Sequence, residues 1–170
     1  MITVTYDLCI YVPGGIISSM GPEAKNKLDN FFYKYRKVEF SKGEPLIEAD
    51  QNPGGVFYLI DGVVKEYVVN AQGVEVVLNL YKANSFFPMS WVINKKTLPH
   101  YFEAMTDAVA WKASSDDFLV FLRSDPDVMI DLLRRIYKGM EGMWLRLEYS
   151  MSGSALQKFI CELLIFAKRF

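Results

Sequence analysis

The sequence predicts a mainly β fold with helices: a small antiparallel barrel or jelly roll, then a long helix. Three observations carry this expectation. Between Lys42 and Phe86, short apolar strands are punctuated by Gly43, Gly54–Gly55, Gly62 and Gly73, each where the chain must reverse. Strands this short, with turn signals about every ten residues, belong to barrels and jelly rolls. From Ile130 to Met151, apolar residues recur at alternating spacings of three and four, the pattern of a coiled-coil seam. The chain has 170 residues, 51% of them hydrophobic and 15% aromatic, enough for the core of one domain with or without an appendage.

The elements follow in order. Ile2, Val4, Tyr6, Leu8, Ile10 and Val12 alternate with Thr3, Thr5 and Asp7, the period of a half-buried strand. Such a strand would pair with the barrel edge or with a partner chain; a poorly ordered leader is the alternative. Gly21-Pro22 opens a helix, with proline where its missing N–H costs nothing. Ala24, Leu28, Phe31, Phe32 and Tyr35 recur on one face of it and would lie on the barrel. Val38 to Trp111 reads mostly as strand. There Asn70-Ala71-Gln72-Gly73 turns Val63–Val69 into Val74–Leu80, and Phe102–Trp111 returns. Ser114 and Asp117 have capping-box spacing ahead of a short helix over Phe118–Leu122.

Asp125-Pro126 starts the long helix, aspartate as cap and proline at the first position. Its seam is Ile130, Leu133, Tyr137, Met140, Trp144, Leu147 and Met151, the expected dimer interface. A second stripe, Met129, Leu132, Ile136 and Met143, would face the barrel. One wide buried face inside a monomer is the alternative. Gly139 and Gly142 cost this helix about 1 kcal/mol each relative to alanine, which a close approach of another backbone or a ligand would explain. Ser152-Gly153-Ser154 interrupts the helix. Ser154 and Gln157 form another capping box, and Leu156, Phe159, Ile160, Leu163, Leu164 and Ala167 make a second amphipathic helix. The expected divisions are an N-terminal extension over 1–20, a barrel over 21–124, the dimerisation helix over 125–151 and a final helix over 154–170.

Composition excludes several classes. The net charge of −1 gives no whole-molecule reason for nucleic-acid binding by this chain. Cys9 and Cys161 are the only cysteines and no CxxC occurs. That is too few for an iron–sulfur cluster or a disulfide framework. A reduced, cytoplasmic protein is expected. The apolar runs are too short to cross a bilayer, and no basic secretory n-region opens the chain.

These elements in this order resemble the Crp/Fnr family of bacterial transcription regulators, over roughly residues 20 to 170. The resemblance rests on Lys42-Gly43-Glu44, Tyr58-Leu59-Ile60-Asp61-Gly62, Gly73 with the strand after it, Phe118, and Asp125-Pro126-Asp127 opening the long helix. Ser154 resembles the hinge cap that begins the family's DNA-binding domain. The resemblance implies a double-stranded β-helix (jelly-roll) barrel of the cyclic-nucleotide-binding-like type, followed by a dimerisation helix. It also implies that the helix-turn-helix lies beyond this chain, which is then a truncated or partial one.

Members that bind cyclic nucleotides carry a glycine–glutamate pair near a short helix and an arginine before the next strand. The arginine pairs with the cyclic phosphate and the carboxylate takes the ribose hydroxyl. Here Pro88 and Met89 stand where the resemblance puts glycine and glutamate, and Pro99 where it puts arginine. Lys95 and Lys96 are near, in an expected loop. Aromatic and apolar residues replace the lost charges. The candidate pocket is Asn79, Met89, Ser90, Trp91, His100 and Tyr101 of the barrel, with Met143 and Trp144 of the long helix. Either it accepts a small apolar or aromatic effector, with Asn79, Ser90 and His100 as polar anchors, or its own side chains fill it.

No catalytic arrangement is legible, so an enzyme is not expected. His100 is the only histidine, and metal sites usually need three or four ligands, so no cofactor or metal is expected either. The expected function is the effector-sensing and dimerisation portion of a Crp/Fnr-type regulator that does not respond to a cyclic nucleotide. A second copy of the chain is its partner, DNA is reached only through a domain missing from this chain, and no membrane is involved. The alternative is a stand-alone dimerisation barrel with a self-filled pocket and no ligand.

Overall fold

A computed structural model describes residues 21–169. The strand expected at Met1–Val12 lies outside the described residues. The chain divides into two compact units, one covering residues 21–129 and the other including the residues from Ile130 onward.

The first unit opens with α1 (Pro22–Phe32), which has proline at its start and buries Ala24, Leu28, Phe31 and Phe32. Tyr35 falls beyond the helix but still meets Phe31, ring centroids 5.1 Å apart. Then come β1 (Arg36–Phe40), β2 (Pro45–Ile47), β3 (Val56–Asp61), β4 (Val64–Val69), β5 (Glu75–Tyr81), β6 (Phe86–Phe87), α2 (Met89–Asn94), β7 (Tyr101–Ala104) and β8 (Ala108–Ala113). Helix α2 interrupts a stretch expected to be mostly strand. Two antiparallel four-stranded sheets result, ordered β1-β8-β3-β6 and β2-β7-β4-β5. This is the expected jelly-roll barrel.

Phe57 and Leu59 of β3 point inward to join Phe87, Phe102, Ile47, Val64 and Ala110 in the core. Tyr58, between them, points outward yet is only 1% exposed. Its ring lies on Phe32 of α1 at 4.9 Å and its hydroxyl donates to Asp29 Oδ1 at 2.8 Å. An apolar helix face thus covers the outer side of β3, and the hydroxyl keeps a partner, as a buried polar group requires.

Local chemistry makes the turns and caps. Asn70 Oδ1 accepts from the backbone N–H of Gln72 and Val74 at 3.0 and 2.9 Å, closing the β4–β5 hairpin. Gly62 has φ +90°, and an added Cβ would meet Asp107 O at 2.4 Å, so only glycine fits the β3–β4 turn. Ser114 Oγ accepts from Asp117 N at 3.1 Å to start α3 (Ser115–Ser124). Asp125 Oδ1 accepts from Val128 N at 3.2 Å to start α4 (Pro126–Ser152). Lys27 of α1 also binds Asp125 and Asp127, at 3.1 and 3.2 Å. The Lys27 hydrogen bond holds the Asp125 carboxyl below the usual carboxylate range.

The second unit holds the remainder of α4 and α5 (Ala155–Arg169). Ser154 and Gln157 cap α5 reciprocally: Ser154 N donates to Gln157 Oε1 at 2.8 Å, and Gln157 N to Ser154 Oγ at 3.4 Å. Arg146 Nη2 donates to Glu162 Oε2 at 2.9 Å, tying the two helices. On α4 the seven seam residues are all exposed, from 37% at Met140 to 81% at Met151.

The second stripe departs from expectation. Leu132 is buried, but Ile136 and Met143 are exposed, and burial instead follows Val128, Leu132 and Gly142. The covered residues of α4 are thus not the stripe read from sequence. An added Cβ on Gly139 would meet nothing within 4 Å, so no close approach within the described residues accounts for that glycine.

Candidate functional site

The inner face of β4, β5 and β7 brings polar groups to the barrel interior. Glu66 of β4 pairs in register with Phe102 on one side and Asn79 on the other. His100, just ahead of β7, puts Nδ1 2.7 Å from Glu66 Oε1, and Tyr81 Oη donates to Glu66 Oε2 at 2.8 Å. Both carboxylate oxygens are therefore engaged, and the Glu66 side chain is only 13% exposed. These contacts join residues far apart in sequence, and no local signal announced them.

Beside this cluster the interior is packed with rings. Phe87 stacks on Phe102 at 5.3 Å and on Phe57 at 5.8 Å, and Tyr81 tilts against Phe87 at 4.7 Å. Among the described residues a cleft of about 10 Å³ is lined by Ile47, Gln51, Pro53, Pro88, Trp91, Leu98, His100 and Phe102. That is room for roughly one water molecule.

Of the expected pocket residues, Trp91 and His100 line this cleft. Asn79 is half-buried on β5, where its Oδ1 accepts from Leu80 N at 3.0 Å. Met89 begins α2 half-buried and Ser90 is exposed. Tyr101 lies on the outer face, stacked on Tyr67 at 5.1 Å, because neighbouring strand residues point oppositely and Phe102 takes the inside. Met143 and Trp144 are exposed on α4, in the second unit. Sequence reasoning missed Glu66 and Tyr81.

Lys95, close to Pro88 and Pro99 in sequence, is already committed. It ends α2 in the left-handed conformation, binds Asp116 at 2.8 Å and Ser115 Oγ at 2.6 Å, and sits 5.3 Å over the Trp91 ring. Its hydrogen bond pulls the Asp116 carboxyl below its ordinary pKa. Lys95 thus anchors α2 to α3, with its charge compensated. Pro88 is buried and Pro99 exposed, and neither supplies a donor for an anion. Among the described residues no three His, Cys, Asp or Glu side chains converge as metal ligands. No described helix is long and apolar enough to cross a membrane.

The elements define a jelly-roll barrel domain followed by a long helix. The sequence pattern of the cyclic nucleotide-binding domain matches residues 37–125, more than half of the chain, and the chain belongs to that family. Among curated proteins, none matches it. Solved structures share its fold and include transcription regulators of the Crp/Fnr type that the sequence resembles. The Thermus thermophilus catabolite activator protein is 16% identical with a TM-score of 0.65, matched over 80% of this chain and 62% of that one. The sensor domain of the regulator DNR from Pseudomonas aeruginosa is 17% identical with a TM-score of 0.56, matched over 76% and 84%. A CprK structure complexed with OCPA is 19% identical with a TM-score of 0.58, matched over 72% and 55%. The chain therefore spans 62% of the activator protein and 55% of CprK.

Proposed function

We propose that this chain is the effector-sensing and dimerisation portion of a Crp/Fnr-type transcription regulator whose barrel does not answer to a cyclic nucleotide. The observation that carries the reading is the state of the pocket. In the sequence Pro88, Met89 and Pro99 stand where the resemblance puts the contacts for phosphate and ribose, and the cleft lined by Trp91 and His100 has a volume of about 10 Å³. The charge beside it is the Glu66 carboxylate, which opposes an incoming phosphate. Any effector is a small apolar or aromatic molecule that displaces Trp91 or one of the stacked rings, with His100 as its polar contact.

The second half of the reading is the dimer. Ile130, Leu133, Tyr137, Met140, Trp144, Leu147 and Met151 keep heptad spacing and are all exposed. A seam of this length is stabilised by a second copy of itself. Effector binding would shift the helix pair, and the pair would reposition output domains outside these 170 residues, a coupling between two sites through a two-state interface. DNA contact would belong to those domains. The protein would work in the cytoplasm, and no reaction is assigned to it.

The stacked Phe57, Phe87 and Phe102 favour a second reading, in which the barrel is self-filled and the chain only dimerises. Thermal melts with cyclic AMP, cyclic GMP and a panel of aromatic acids separate the two: stabilisation by an aromatic acid alone supports the sensor, and none by any ligand supports the self-filled barrel. Sedimentation of Leu133→Glu with Tyr137→Glu tests the seam. A monomer is expected, and an unchanged dimer would sink the coiled-coil assignment.

A further inference from the structure

Lys112 differs from the lysines that hold the fold together. Lys27, Lys65 and Lys95 each pair with carboxylates, whereas Lys112 has no ion-pair partner among the described residues. Its place in the fold makes this unusual. Ala108, Ala110 and Lys112 share one face of β8, and the two alanines belong to the core. Lys112 therefore projects from the inner face at the strand's end, with Nζ 4.8 Å from the centre of the Phe57 ring. Its cross-strand partner on β1 is another cation, Arg36.

The loop before β3 closes over this lysine. An added Cβ on Gly54 would meet Lys112 Nζ at 3.3 Å, and one on Gly55 would meet Ala113 O at 2.3 Å. Both glycines have positive φ, so the backbone lies against β8 in a way side chains would block. Burial, and then repulsion from Arg36, push the Lys112 amine below its ordinary pKa. Two adjacent cations, one of them half-stripped of water, have no counter-charge among the described residues.

We propose that Arg36, Lys112 and the Gly54–Gly55 loop form a binding site for a small oxyanion, a phosphate or a carboxylate. Arg36 offers a planar fork that takes two oxygens at once, and Lys112 offers a point charge on the other side. The anion would offset the desolvation of the lysine. Arg36, Lys112, Gly54 and Gly55 are not among the residues that line the cleft of Trp91 and His100, although Pro53 of the same loop is.

The full chain is titrated with inorganic phosphate and, separately, with citrate, using sodium chloride at matched ionic strength as the control. The Lys112 side-chain signal is followed by lysine NMR and assigned from the spectrum of Lys112→Met. A saturable shift with phosphate or citrate, absent with chloride, is expected. Arg36→Gln, a change at an exposed side chain, should weaken it about ten-fold, the worth of one charge-assisted contact. Tighter binding of phosphate identifies a phosphate site, and tighter binding of citrate a carboxylate site. The proposal is overturned if Lys112 responds no more to either anion than to chloride, or if Arg36→Gln leaves the titration unchanged.

Discussion

Removing the Phe87 ring is the sharpest test of how the barrel is filled. Phe87 is fully buried and contacts the rings of Phe57, Tyr81 and Phe102. Phe87→Ala vacates roughly 100 Å³; at ~24 cal/mol per Å³ the cavity alone costs about 2.4 kcal/mol if the walls stay put. The lost transfer energy of the ring brings the expected total to about 4 kcal/mol, within the usual range for such a change. With a urea slope of about 2 kcal/mol per M, the unfolding midpoint should fall by about 2 M. Tryptophan fluorescence reads the transition, and protein concentration is held fixed because a dimer's stability depends on it. The new cavity should also accept benzene or indole, which would restore part of the loss. A loss below about 1 kcal/mol would refute the packing described, because a ring so enclosed cannot leave that cheaply.

Two further outcomes follow from the same geometry. Asp125 has its carboxyl held below the ordinary value of 3.8 by Lys27. Its contribution is therefore fully present above that value and is lost as pH falls through the folded-state pKa. Asp125→Asn should flatten the acid limb of the melting-temperature profile, and an unchanged limb would show that the pair contributes nothing. Gly62→Ala must combine positive φ with a Cβ 2.4 Å from Asp107 O. A loss of at least about 2 kcal/mol in urea melts is expected, and near-neutrality would contradict the turn geometry.

Signals confined to a few neighbouring residues were legible in the sequence. Asp125 with Pro126, Ser114 with Asp117, and Ser154 with Gln157 announce helix starts because cap and capped N–H lie within one turn. Gly62 and Gly73 announce turns because few other residues tolerate their backbone. The length of α4 is legible because its apolar spacing persists over three heptads. Other features depend on contacts across the sheet. Glu66, Tyr81 and His100 meet only when β4, β5 and the chain ahead of β7 align in register. Which of Tyr101 and Phe102 points inward cannot be read from adjacent aromatic residues, since a shift of one residue exchanges them. Helix α2 has six residues and no side-chain cap, too little for periodicity to register. The buried stripe on α4 was misplaced because Ile136 and Met143 are as apolar as Leu132, and residue type alone does not say which of them is covered.

Calorimetric titration of the full chain with cyclic AMP and cyclic GMP goes straight to the question of what this barrel binds. On the proposed reading, in which Pro88, Met89 and Pro99 stand in place of the phosphate and ribose contacts and the cleft beside Trp91 and His100 measures about 10 Å³, the chain should give no saturable heat up to about 1 mM of either nucleotide. Saturable one-to-one binding in the micromolar range would contradict this account of the pocket.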